Sequence, residues 1–225
     1  MILCNKLPSC NQAFIGRKDE IKAIASHLSN QSVLFITGMA GIGKSEVAKA
    51  YAQKNRKKYT NIIYLYYTGN LRKDIANLTF ADDSVEMNEE VRFQNHYKVM
   101  QRLHTDTLLI LDNFNVLPKD EPFLKELMKN DMQLLITSRC KLKNYDSIEI
   151  KELDKDKELK ELFYKHCPSA KRDPDSVSAI IEEVNCHTLT VCMAALTLEV
   201  SGMEPEELLQ KLRSCGIGQN TEEIE

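Results

Sequence analysis

The chain has 225 residues, 43% hydrophobic and 28% charged, the balance of a globular protein with material for one large domain or two modest ones. With 30 basic against 33 acidic residues the net charge is −3, so nothing chain-wide draws it to nucleic acid or to a membrane surface. The seven cysteines (Cys4, Cys10, Cys140, Cys167, Cys186, Cys192 and Cys215) never take C-x-x-C spacing, which leaves a zinc site or thioredoxin-like motif unsupported. Unpaired cysteines, no signal-like apolar start and no run of about 18 apolar residues point to a reducing, cytoplasmic setting.

Residues 1–13 read as a loose leader. Phe14-Ile15-Gly16-Arg17 follows, with Asp19-Glu20 ahead of Ile21, Ile24 and Leu28 at helical spacing. By itself the tetrad is equally a hairpin or the start of a helix. Val33-Leu34-Phe35-Ile36-Thr37 is a β-branched and aromatic run, which predicts a buried strand. It leads directly into Gly38-Met39-Ala40-Gly41-Ile42-Gly43-Lys44-Ser45, which fits the phosphate-binding pattern G-x-x-x-x-G-K-[ST]. Glu46 comes next, and Val47, Ala48 and Tyr51 then repeat at helical spacing. Strand, glycine loop and helix together aim backbone N–H groups and the positive end of a helix at one point. In such a loop Lys44 reaches the β- and γ-phosphates and the Ser45 hydroxyl ligates magnesium. The motif therefore predicts a bound nucleoside tri- or diphosphate; the alternative is an ordinary Gly-rich turn. The basic run Lys54-Asn55-Arg56-Lys57-Lys58 reads as a solvated helix end.

Asn61 to Tyr67 predicts a second buried strand, broken at Gly69-Asn70. Helices are expected over Leu71–Leu78 and from about Asn88 to Leu103, the latter with Phe93, Tyr97 and Met100 on one face. In Thr107-Leu108-Leu109-Ile110-Leu111-Asp112-Asn113, four aliphatics end in an acid. This predicts a central parallel strand that delivers Asp112 to the sheet edge where ligands bind in open α/β folds. Asp112 is then a Walker B magnesium holder, or else a capping aspartate after a core strand. After a helix from Pro122 to Met128, Met132–Arg139 repeats the strand design. Arg139 at its tip either touches the terminal phosphate or simply faces solvent. Ser147–Ile150 is a short last strand.

Beyond residue 151 the strands stop and helical spacing takes over. Leu159, Leu162, Phe163 and His166 fall on one face, and Val177, Ile180, Ile181 and Val184 on another, behind the Asp173-Pro174 start signal. Leu189, Met193, Leu196 and Val200 mark a third helix, and Leu208, Leu209 and Leu212 a fourth behind Glu204-Pro205. The expected domains are a leader (1–13), a P-loop α/β nucleotide-binding domain (14–151), a helical lid (152–213) and a polar tail (214–225). The fold class is α/β: a five-stranded parallel sheet sandwiched by helices, plus a small C-terminal helical lid bundle.

The order of these parts resembles the nucleotide-binding module of the NB-ARC/STAND signal-transduction ATPases, over about residues 14–213. Phe14-Ile15-Gly16-Arg17 looks like that family's hhGR motif, which implies contact with the adenine side of the nucleotide. Gly38 to Ser45 resembles its phosphate loop, Leu108 to Asn113 its Walker B strand, and Thr137-Ser138-Arg139 its sensor motif, whose arginine reads the phosphates. Leu159-Lys160-Glu161-Leu162-Phe163 is similar to the first lid helix. The resemblance implies ATP or ADP with Mg2+ as cofactors, base and ribose near residues 14–17 and 187–190, and self-assembly in the ATP state. In relatives a winged-helix domain and a repeat-rich sensor follow the lid; this chain stops after Leu212 with a polar tail, so those parts are expected to be missing, truncated or supplied by another chain.

Two departures stand out. Where relatives carry Gly-x-Pro in the lid, this chain has Cys186-His187-Thr188-Leu189-Thr190-Val191, so His187 or Leu189 takes the place of the proline, and His187 reads as a helix-start residue or as a base. And Asn113, not an acid, follows Asp112. Asparagine orients water but cannot accept its proton, which predicts slow hydrolysis unless Glu121 or Asp82 substitutes. The expectation is a nucleotide-controlled switch; a turnover ATPase acting on a protein or nucleic acid is the alternative, and a small-molecule kinase a weaker third.

Overall fold

The computed structural model describes residues 7–81, 83–84, 86–140 and 142–214. Asp82, Cys4, Cys215, the first six residues of the expected leader and the tail beyond Ser214 lie outside the described residues. The chain divides into two compact units. One comprises Arg17–Met39 and Lys44–Ile150 with residues 7–10; the other comprises Asn11–Gly16, Ala40–Gly43 and residues 151–214.

The first unit is built on five parallel strands: β1 (Val33–Thr37), β2 (Asn61–Tyr66), β3 (Thr107–Asp112), β4 (Gln133–Ser138) and β5 (Ser147–Glu149). Their spatial order is β2-β3-β4-β1-β5. β3 and β4 are buried along their whole length, the run of aliphatics expected of a parallel strand covered on both faces. Because β4 lies between β1 and β3, its C-terminal tip stands between the ends of those two strands.

Alternation along the strands assigns the two faces. Phe35, Ile63, Leu65, Leu109, Leu111, Leu134 and Ile136 share one core with Leu71 and Ile75 of α3 (Leu71–Ala76), Phe93 and Met100 of α4 (Glu89–Met100), and Leu124 and Leu127 of α5 (Phe123–Leu127). The intervening residues, among them Leu34, Ile36, Ile110, Leu135 and Thr137, face the side covered by α1 (Lys18–His27) and α2 (Lys44–Lys54). On that side Val47, Ala48 and Tyr51 of α2 are at most 1% exposed. The sheet thus has helices on both faces, as predicted.

The second unit is helical: a π-turn over Lys155–Leu159, then α6 (Lys160–His166), α7 (Pro174–Glu183), α8 (Thr188–Ser201) and α9 (Pro205–Ser214). Asp173 caps α7 by accepting from the Ser176 N–H, with Pro174 at the first helical position. Leu159, Phe163, Val177, Ile180, Ile181, Leu208 and Leu209 enter its core as the spacing predicts. α8 differs. The face marked by Leu189, Met193, Leu196 and Val200 is exposed at 50%, 59%, 45% and 87%, while Val191, Ala194, Ala195 and Leu198 are buried. The helix is apolar nearly all round, so periodicity does not single out a face, and the two alanines allow the closer approach.

Candidate phosphate and metal site

The glycine loop turns on backbone that only glycine adopts without strain. Gly43 has φ +106°, with no neighbouring atom near the Cβ position, so the demand there is purely conformational. At Gly41 (φ +72°) space adds to the demand: a Cβ would stand 2.6 Å from His187 Cε1 and 2.9 Å from Leu189 Cβ. The loop opens α2, whose first residues are Lys44, Ser45 and Glu46.

Lys44 is 9% exposed, and its Nζ donates to the carbonyls of Gly38 (2.9 Å) and Met39 (2.7 Å). Burial lowers its pKa, and the Arg139 charge lowers it further against the opposing pull of Asp112. The Lys44 ammonium thus feels the positive charge of Arg139 as well as the negative charge of Asp112. Arg139 itself is exposed at the tip of β4. Glu46 is engaged in an ion pair with Lys49 one turn along α2.

Asp112 is 3% exposed and collects three hydroxyls. Its Oδ1 accepts from Ser45 Oγ (2.7 Å) and Thr137 Oγ1 (2.5 Å), and its Oδ2 accepts from the Tyr64 hydroxyl (2.5 Å). Ser45 Oγ and Asp112 Oδ1 are hard oxygen donors held within one hydrogen bond of each other. That pair suits Mg2+, which takes one or two protein oxygens and completes its shell with phosphates and water. Among the described residues no cluster of three or more His, Cys, Asp or Glu offers a metal cage.

Asn113 takes the left-handed conformation (φ 65°), tolerable for asparagine. Its N–H donates to Thr137 Oγ1 (2.9 Å), its Nδ2 to the Tyr67 carbonyl (3.4 Å), and its Oδ1 accepts from Asn115 Nδ2 (2.5 Å). Asn115 Oδ1 in turn accepts the Arg139 N–H (2.9 Å). The residue after β3 is thereby linked to the residue after β4. Glu121 accepts from the Tyr67 hydroxyl (3.2 Å), the Leu71 N–H (3.1 Å) and the Phe123 N–H (3.4 Å), so its carboxylate serves the starts of α3 and α5.

Among solved structures the chain is similar to the Walker-type ATPase Paby2304 of Pyrococcus abyssi, with a TM-score of 0.66 at 11% identity over 93% of this chain and 74% of that one. It is also similar to AMPPCP-bound DnaA from Aquifex aeolicus, with a TM-score of 0.61 at 16% identity over 93% of this chain and 72% of that one. The fold is that of the P-loop NTPases. No protein-family model matches this chain, and no curated protein matches it in sequence.

The remaining predicted residues take these places. Arg17, 6% exposed and left-handed (φ 58°), pairs with Glu20 at 3.0 Å at the start of α1. In the second unit Ile15 is buried in the helical core, Phe14 is half-buried, and a Cβ on Gly16 would collide with the Glu158 carboxylate. In that unit, too, Ala40–Gly43 meet α8: His187 Nε2 bonds the Ala40 carbonyl at 2.7 Å, while its Nδ1 bonds Thr190 Oγ1 (2.8 Å) and caps the helix at the Thr190 N–H. A carbonyl on Nε2 requires the proton there, leaving Nδ1 as acceptor, so both ring nitrogens are occupied. Ile42 is buried and Leu189 half-exposed. Sequence reasoning missed Tyr64 and Asn115, and saw Thr137 only as part of a motif. The bias of Thr137-Ser138-Arg139 toward small hydroxyls at a strand tip was the available signal; Tyr64 and Asn115 had none.

Proposed function

We propose that this chain binds an adenine nucleotide with Mg2+ at the loop Gly38–Ser45 and works as a switch with slow hydrolysis. The observation that carries the reading is the Ser45–Asp112 hydrogen bond beside the buried Lys44, because it joins the phosphate loop to the Walker B acid across 67 residues of sequence. The loop N–H groups and Lys44 would receive the phosphates, Ser45 and Asp112 would hold Mg2+, and Arg139 would bear on the terminal phosphate. The metal, when bound, supplies charge neutralisation on the phosphate oxygens.

Slow turnover is supported by how the candidate water-activating residues among the described ones are engaged. Asn113 follows Asp112 and its amide is engaged with Tyr67 and Asn115, while Glu121 is committed to two helix starts. Where no general base serves the attacking water, about 10² to 10⁴ in rate is lost, or about 3–5 kcal/mol. The NB-ARC/STAND resemblance supports a stored ADP state and an ATP state that assembles with further copies. Such a switch needs a differential affinity of about 10⁴ to move from 1:99 to 99:1. Base preference rests on the resemblance.

The test is nucleotide content and turnover of the purified protein, by chromatography of the denatured sample and a phosphate-release assay. Co-purified ADP with turnover well below one per minute is expected, with Lys44→Ala losing the nucleotide. ATP hydrolysis at several per second would replace the switch by a turnover ATPase, and a chain that binds neither nucleotide would end the reading.

A further inference from the structure

Asp112 is held from both sides, and the second side has no place in the motifs. β2 and β3 pair with Tyr64 opposite Ile110 and Tyr66 opposite Asp112. Tyr64, Ile110 and Asp112 therefore share one face of the sheet, the face under α2, with Tyr64 on the diagonal from Asp112. A tyrosine is long enough for its hydroxyl to cross that diagonal to the neighbouring strand, as a serine or threonine is not. Its hydroxyl ends 2.5 Å from Asp112 Oδ2, while Ser45 and Thr137 both donate to Oδ1.

We infer that Tyr64 is a positioning residue of the magnesium site: its hydroxyl bond to Oδ2 fixes the rotation of the Asp112 carboxylate so that Oδ1 stays aimed at Ser45. The inference rests on the proposed nucleotide and magnesium reading and adds to it the group that orients the metal-holding acid. The terminal torsion of an aspartate is broad, and because its two oxygens are equivalent what Tyr64 adds is a sharper carboxylate plane, with Ser45 and Thr137 on one oxygen and Tyr64 on the other, so that the donor pair is better preformed. Groups that hydrogen-bond a metal-binding carboxylate typically change metal affinity about 10- to 100-fold when removed. The ring also occupies the strand position, so Tyr64→Phe deletes one oxygen and leaves the packing volume in place.

The test is the affinity for AMPPCP, measured by calorimetry with excess magnesium chloride and again with EDTA, in the wild type, Tyr64→Phe and Tyr51→Phe. Tyr51 is a control: it is fully buried, whereas Tyr64 is partly buried, and its hydroxyl meets Tyr59 rather than Asp112. The expected result is that Tyr64→Phe cuts the magnesium-dependent gain in affinity about tenfold, leaves the EDTA affinity within about twofold, and that Tyr51→Phe changes neither. A merely structural role would lower both affinities together. An unchanged or larger magnesium gain in Tyr64→Phe, with the wild type binding normally, overturns the inference alone; a wild type that binds AMPPCP under neither condition overturns the nucleotide reading beneath it. Should Tyr64→Phe not fold, Tyr64→Met, whose flexible apolar chain fills the same position, goes through the same titration.

Discussion

Thr137→Val keeps the shape of a side chain that is 1% exposed and deletes the hydroxyl standing between the tips of β3 and β4. That hydroxyl donates to Asp112 Oδ1 at 2.5 Å and accepts the N–H of the left-handed Asn113 at 2.9 Å. A hydrogen bond to a charged acceptor contributes about 1.5–3 kcal/mol, and a buried N–H left without an acceptor costs about 1–3 kcal/mol. The two losses share one atom and relax together, so the expected destabilisation is about 2–4 kcal/mol. Thr137→Ser keeps the hydroxyl and loses only a methyl, for about 1 kcal/mol. The chain has no tryptophan, so unfolding in urea is followed by far-ultraviolet circular dichroism. With a slope of about 2 kcal/mol per molar, valine lowers the midpoint by about 1–2 M and serine by about 0.5 M. A valine variant as stable as the wild type, or less damaged than the serine variant, would refute the claim that this hydroxyl ties the two strand tips together.

Two further outcomes follow from burial and charge. On α8, Met193→Lys and Val200→Lys should each change stability by less than about 0.5 kcal/mol, since both side chains are more than half exposed, whereas Leu198→Ala, at 2% exposure, should cost about 2–5 kcal/mol; thermal melts of the three variants check the orientation of the helix. The second concerns Asp83, which accepts from the fully buried His96 (2.7 Å) and from the Phe80 N–H (2.7 Å). Burial pushes the Asp83 pKa up, but the His96 and Phe80 hydrogen bonds and the charges of His96 and Arg92 outweigh it and bring the pKa below the usual aspartate value. A depressed folded pKa contributes stability that is present above the unfolded aspartate value, begins to be lost as pH falls to about 4, and is gone only below the still lower folded value. The stability gap between wild type and Asp83→Asn, from urea titrations, should therefore be widest at neutral pH and shrink in acid; a gap that widens in acid would reverse the sign.

Asp112 and the loop before Lys44 could be read from the chain because their demands are local. A strand of consecutive aliphatics, glycines where the backbone turns to positive φ and a lysine and serine at the head of a helix all act within about a dozen residues, and each leaves its mark in composition and spacing. The parallel sheet was equally legible, since strands buried on both faces need uninterrupted apolar runs. Position within the sheet was not. Tyr64 reaches Asp112 only because β2 lies beside β3 with Tyr66 opposite Asp112, and Thr137 meets the same carboxylate only because β4 lies between β1 and β3. Those neighbours come from elsewhere in the chain, and an interstrand register has no local signature. The same holds for Glu121, an acid with the composition of a catalytic base that tertiary packing assigns to the starts of two helices. On α8, apolar on nearly every side, the sequence determined that a helix forms, and only the helices packed around it decided that the alanine side turns inward.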